Sequence, residues 1–187
     1  MPESRILLDS NAYFRLAQSI HPLLNTSFGE QHYTLYVLKE LQDEYEKNPR
    51  LTNKFSWVNH ADYIANRSRR LTLTAVEKAE IKRSYDFILD YVRHAHPGVS
   101  KVDVLGLAHA EQLKIPIATD DHEMRNVAQD YGIKTIKTLE LLKLMLDCSH
   151  IDVVKIREIA AYWVYLKDTP KSFRTDYRKL FNEEPPQ

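Results

Sequence analysis

The sequence predicts an α/β protein with a mainly parallel central sheet, and three observations predict it. Short, unbroken apolar runs stop abruptly at acidic or polar residues: Ile6-Leu7-Leu8 ends at Asp9, and Ile115 to Ala118 ends at Thr119-Asp120-Asp121. Runs of that kind are the mark of strands buried on both faces. They alternate with segments of helical periodicity, the order expected of a parallel sheet covered by helices. The bulk composition is that of an ordinary globular domain, 43% hydrophobic and 28% charged over 187 residues, long enough to bury a sizeable core.

Taken in order, Ile6-Leu7-Leu8 is a first strand, and Asp9, Ser10 or Asn11 can cap a helix over Ala12 to Ser19. Tyr33 to Val37 is rich in β-formers and reads as a second strand. A helix over Leu38 to Lys47 is expected to stop near Asn48-Pro49. From about Ser56 to His96 the chain is polar and helical, with Val76, Ala79, Tyr85, Ile88, Leu89 and Val92 as its apolar stripe, until His96-Pro97-Gly98 breaks it. Ser100 is the expected cap of a helix from Asp103 to Leu113. Ile115 to Ala118 is a third strand, Glu123 to Tyr131 a helix, Lys134 to Ile136 a fourth strand, and Thr138 to Leu146 a helix with Thr138 as its cap. A further helix runs through Leu166, followed by a charged tail that carries aromatics. This divides the chain into a domain over 1–150, with a helical insertion about 51–96, and a C-terminal helix and tail over 151–187.

Formal net charge is zero, so total charge alone demands no nucleic-acid partner. A single cysteine, Cys148, excludes an intramolecular disulfide and suits a reducing cytoplasm. Met1 to Arg5 lead into a strand with no signal-peptide region, and no apolar run approaches the ~18 residues of a membrane span. There is no Gly-rich phosphate loop, no G-x-S-x-G turn and no H-E-x-x-H pair.

The chemistry sits in the acids. Asp9 and Asp120-Asp121 fall at the carboxyl ends of expected strands, the edge along which open α/β sheets place their sites. Asp103 and Glu44 come from the starts of helices. Carboxylates converging there repel one another unless a hard cation neutralises them, and Mg²⁺ and Mn²⁺ favour such oxygen ligands. Singly, each acid has a plainer reading: an Asp before a helix is more often a cap than a ligand, and a Glu on a helix is usually solvated. Co-occurrence is what argues for a site.

The order and wording of these clusters resemble the PIN domain, a small α/β nuclease fold found in ribonucleases that include the toxins of toxin–antitoxin pairs. Leu7-Leu8-Asp9-Ser10-Asn11 is similar to that family's opening strand followed by Asp-x-Asn. Val37 to Tyr45 is similar to its strand, turn and Glu-bearing helix, Ser100 to Ala110 to the helix starting around a third Asp, and Thr119-Asp120-Asp121 to its Thr-x-Asp. Gly132 to Ile136 is similar to the short strand that follows, so the likeness covers roughly 4–146. It implies a PIN-like three-layer sandwich and a Mg²⁺- or Mn²⁺-dependent ribonuclease. It also implies a metal site on Asp9, Glu44, Asp103, Asp120 and Asp121, with Asn11 and Thr119 holding those carboxylates. Glu44 is favoured over Glu40 by its distance from the strand end, while strict Thr-x-Asp spacing selects Asp121 and proximity to the strand selects Asp120. The implied role is a toxin acting on RNA as a homodimer and held by an antitoxin. A housekeeping RNA-processing nuclease and a non-catalytic RNA- or protein-binding module would carry the same acids. The insertion and tail exceed what a small toxin of this kind needs. The aromatic stretch Tyr162-Trp163-Tyr165 motivates the dimer, and the basic run Arg67-Ser68-Arg69-Arg70 reads as solvated.

Overall fold

Strand β1 (Ser4–Leu8) lies at the centre of a four-stranded sheet, between β2 (Tyr33–Val37) and β3 (Ile117–Ala118), with β4 (Thr135–Ile136) outside β3. All three pairings are parallel. Leu8 stands level with Val37 on one side and Ala118 on the other, and Ala118 with Ile136. The strands therefore end in one row, and Asp9, Leu38, Thr119 and Lys137 are the first residues beyond it. The chain leaves β1 toward β2 on one side and later returns to β3 on the other, so the switch point lies between β1 and β3. The computed structural model describes residues 3–187. Met1 and Pro2, where the expected signal-free N-terminus begins, lie outside the described residues.

Alternation along the strands feeds two apolar layers. Ile6, Leu8, Leu35, Val37 and Ala118 face one layer, built with α1 (Ser10–Ala17), α8 (Thr138–Asp147), α9 (Val153–Tyr165) and α10 (Phe173–Phe181). Leu7, Tyr36 and Ile117 face the other, built with α5 (Ala75–Ala95), α6 (Lys101–Leu113) and α7 (His122–Asp130). The result is an α/β fold with helices on both faces of a parallel sheet. None of the described helices is long and apolar enough to cross a membrane.

Several elements depart from the sequence reading, each for a local reason. Helix α1 begins at Ser10, because Asp9 is its cap and accepts the Ala12 amide. Asn48-Pro49 ends α2 (Glu40–Glu46) but also opens α3 (Pro49–Lys54): Asn48 caps Arg50 and Leu51, and Pro49 takes the first helical position, where no amide is needed. After a 3-10 turn (Ser56–Asn59) and α4 (Ala61–Asn66), the chain runs without regular structure to Thr74, which starts α5 with a reciprocal cap to Glu77. The buried stripe of α5 is Ile81, Ile88 and Val92. Val76 is 71% exposed and Ala79 also faces out, because the stripe follows the contact with α6 rather than the first turn.

Thr138 does not cap α8. Lys137 occupies the cap position, and the Thr138 hydroxyl turns instead to Asp120. Arg67 is 4% exposed rather than solvated, bonding the Tyr13 hydroxyl, the Val58 carbonyl and Gln42. The tail is helical in α10, and Phe173 and Tyr177 are buried with Trp163 of α9 in the same layer as α1. Trp163 donates its indole N–H to the Arg15 carbonyl at 3.0 Å, and Tyr162 bonds Gln18. Of the aromatic stretch that motivated a dimer, Tyr165 alone stays largely outside, at 81% exposure.

Candidate carboxylate site at the strand ends

Asp9 follows the central strand directly, and its amide still bonds the Ala118 carbonyl of β3 at 3.1 Å. Its carboxylate is fixed from two sides. One oxygen accepts the Ala12 amide at 2.5 Å. The Thr119 hydroxyl bonds it from the end of β3, and Thr119 Oγ1 in turn accepts the Asp121 amide at 3.1 Å. Thr119 is fully buried. Burial outweighs these bonds. Together with the negative charges of Asp103 and Asp120 it pushes the Asp9 carboxyl up to about 7.

Asp103 sits in the first turn of α6. Its Oδ2 accepts the Ser100 amide at 3.0 Å and Ser100 Oγ accepts the Asp103 amide at 3.1 Å, a closed capping box. Burial and the nearby Asp121 raise its carboxyl above the ordinary range. Gly106, one turn on, lets α6 lie close to the sheet: a Cβ there would stand 3.0 Å from Ile117 Cδ1.

Glu44 accepts the Ser10 hydroxyl at 2.5 Å, which aims α2 toward the β1 end. Burial and then Asp103 raise its carboxyl. Glu40 points elsewhere, lining a neighbouring cavity beside His109. Of the two glutamates, Glu44 is the one bonded to Ser10 and within reach of the Asp103 charge.

The two adjacent aspartates separate by role. Asp120 forms an ion pair with Arg15 of α1 at 2.5 Å and also accepts the Thr138 amide at 3.1 Å and its hydroxyl. Asp121 caps α7 by accepting the Met124 amide at 2.7 Å. Among the described residues no Lys or Arg forms an ion pair with Asp9, Glu44, Asp103 or Asp121; Asp120 is the neutralised member. Asn11, expected to hold a carboxylate, is exposed, and no side-chain bond joins it to an acid among the described residues. Ser10, one residue earlier, has that position. Arg15 and Thr138 also went unread as partners of Asp120, since nothing in sequence spacing joins a helix last turn, a strand end and a distant helix start.

Asp9 and Asp103 line one cavity of about 20 Å³, with Ser10, Leu38 and Gly106 around them. That is room for about one water-sized occupant between two carboxylates. Among the described residues no three His, Cys, Asp or Glu side chains are drawn together tightly enough to form a ready-made metal cage. Asp9, Asp103 and Asp121 are thus electrostatic neighbours rather than a closed cluster. What the site offers a hard divalent cation is donor chemistry alone: carboxylate oxygens, none of them on Asp9, Glu44, Asp103 or Asp121 taken by a Lys or Arg among the described residues. No protein-family model matches this chain, and no curated protein matches it.

Proposed function

We propose that this protein is a Mg²⁺- or Mn²⁺-dependent endoribonuclease of PIN-like architecture. One observation supports the reading most: three acids without basic partners among the described residues, Asp9, Glu44 and Asp103, lie near the carboxyl end of the central parallel strand with their carboxyls pushed up by burial and then by neighbouring acids. A divalent cation held by Asp9 and Asp103, with Asp121 and Glu44 nearby, would supply an acidified water and charge neutralisation for phosphate oxygens. The chain's own contribution is positional. Thr119 and the Ala12 amide orient Asp9, the Ser100 box orients Asp103, and Ser10 holds Glu44 where a carboxylate of raised proton affinity can accept a proton. Splayed single-stranded or loop RNA is the substrate form a protein pocket engages most readily. The role as a toxin held by an antitoxin follows the resemblance alone, and an RNA-processing nuclease would use the same residues.

A second reading has its own support. Asp9, Asp103 and Asp121 each complete a helix start, work that a non-catalytic RNA-binding module would retain. Incubation with a mixed RNA pool in Mg²⁺ or Mn²⁺ separates the two. The nuclease cleaves, stops in EDTA, and is silenced by Asp9→Asn, which removes charge at nearly constant shape. Cleavage that resists EDTA, or full activity in Asp9→Asn, rejects the mechanism; RNA binding without cleavage establishes the module.

A further inference from the structure

Beside the acids lies a larger cleft, about 430 Å³, within the range of small-ligand sites. Its inner walls are apolar: Leu38 beyond β2, Leu71 and Leu73 from the extended segment before α5, Ile81 and Tyr85 of α5, and Leu105 of α6. Its rim is basic, with Lys39, Arg70, Lys78 and Lys82. Lys78, Ile81, Lys82 and Tyr85 follow helical spacing, so one face of α5 presents alternating charge and apolar surface to the cleft. Among the described residues no carboxylate pairs with Arg70, Lys78 or Lys82, and the one acid in the lining, Glu40, stands 3.9 Å from Lys39. Four cations around one apolar cleft are a local excess in a chain of zero net charge.

His109 adds a directional group. Its Nδ1–H donates to the Leu105 carbonyl at 2.8 Å, leaving Nε2 as an acceptor in the lining. Leu38 is shared: it lines both this cleft and the small cavity that holds Asp9 and Asp103. A polyanion lying across the acids therefore has this cleft as its next station.

We propose that the cleft binds one nucleotide of single-stranded RNA beside the scissile phosphate, the base against Leu73 and Tyr85 and the flanking phosphates on Lys78 and Lys82. The proposal rests on the ribonuclease reading and extends it to how the strand is gripped. An apolar slot flanked by unpaired cations suits a nucleotide because every base offers a flat face and each linkage a charge. Nε2 of His109 offers an acceptor to a base amino group or a ribose hydroxyl.

The test titrates the full-length protein, in EDTA so that nothing is cleaved, with a single-stranded oligoribonucleotide carrying 2-aminopurine, at several salt concentrations. Lys78→Ala/Lys82→Ala is expected to lower the slope of log K against log salt by about 1.4, two phosphate contacts at ~0.7 each. Leu73→Trp, filling the slot, is expected to weaken binding about tenfold or more while leaving the slope alone. Leu71→Trp repeats that test from the same segment should Leu73→Trp fail to melt like wild type. RNA affinity unmoved by slot filling overturns the proposal, as does an acidic peptide that binds as tightly as RNA. The cleavage assay is read separately. Cleavage without cleft dependence defeats the nucleotide slot alone, and cleft-dependent binding without metal-dependent cleavage defeats the nuclease reading alone.

Discussion

Asp9 is held in place by two hydrogen bonds and opposed by nearly everything else around it. Its carboxyl moves from 3.8 to about 7 on folding, chiefly through burial. The sign follows from the direction. A carboxyl raised in the fold favours the protonated form there, so its contribution to stability is full below about pH 4 and is lost as pH rises through about 7. The loss is on the order of a few kcal/mol. Asn in its place keeps an oxygen for the Ala12 amide and carries no charge. Urea denaturation in EDTA should show Asp9→Asn more stable than wild type at pH 8, with the advantage shrinking toward pH 4. An advantage that does not change with pH would mean Asp9 is not the strained group. The placement of Asp9 and Asp120-Asp121 just beyond strand ends was legible in sequence, because the apolar runs stop at them. Their partners were not. Arg15 reaches Asp120 across 105 positions and Ser10 reaches Glu44 across 34, distances that only the folded sheet closes.

Helix starts do double work in this fold. Ser100 both follows the incoming turn as the helix cap and clamps Asp103 through the reciprocal box. Ser100→Ala should cost about 1 kcal/mol in chemical denaturation and should also weaken Mn²⁺ binding, because Asp103 loses a clamp. A stability loss with unchanged Mn²⁺ affinity would place Asp103 outside the cation site. Elements with strong punctuation were the readable ones: β2 is as expected from Tyr33 to Val37, and α6 starts at the expected cap. Asn48-Pro49 misled because the same pair that stops one helix is a favoured start for the next. The α5 stripe misled at its first turn, where Val76 has hydrophobicity but no neighbour to cover it.

At the scale of the molecule, the C-terminal helices complete the layer that backs the site. Trp163 is 1% exposed, anchored to Arg15, and Arg15 is the residue that neutralises Asp120. Trp163→Ala should therefore destabilise the whole fold by about 3–5 kcal/mol, seen as one shifted cooperative transition. A separate early transition, with the rest of the fold intact, would show that α9 and α10 are an appendage. Sequence patterning marked this region as different because its charge and aromatics interleave. It could not show where the aromatics pack, since Tyr162, Trp163 and Tyr165 differ in which side of α9 they occupy and only the packed layer decides that. Whether the strand-end acids take up a divalent cation is decided by calorimetric titration of Mn²⁺ into metal-free protein at pH 7, in two buffers of different ionisation enthalpy. Saturable binding is expected, with protons released to buffer as Asp9 gives its up, and it is lost in Asp9→Asn. Absence of binding, or equal binding in wild type and Asp9→Asn, would contradict uptake by these acids.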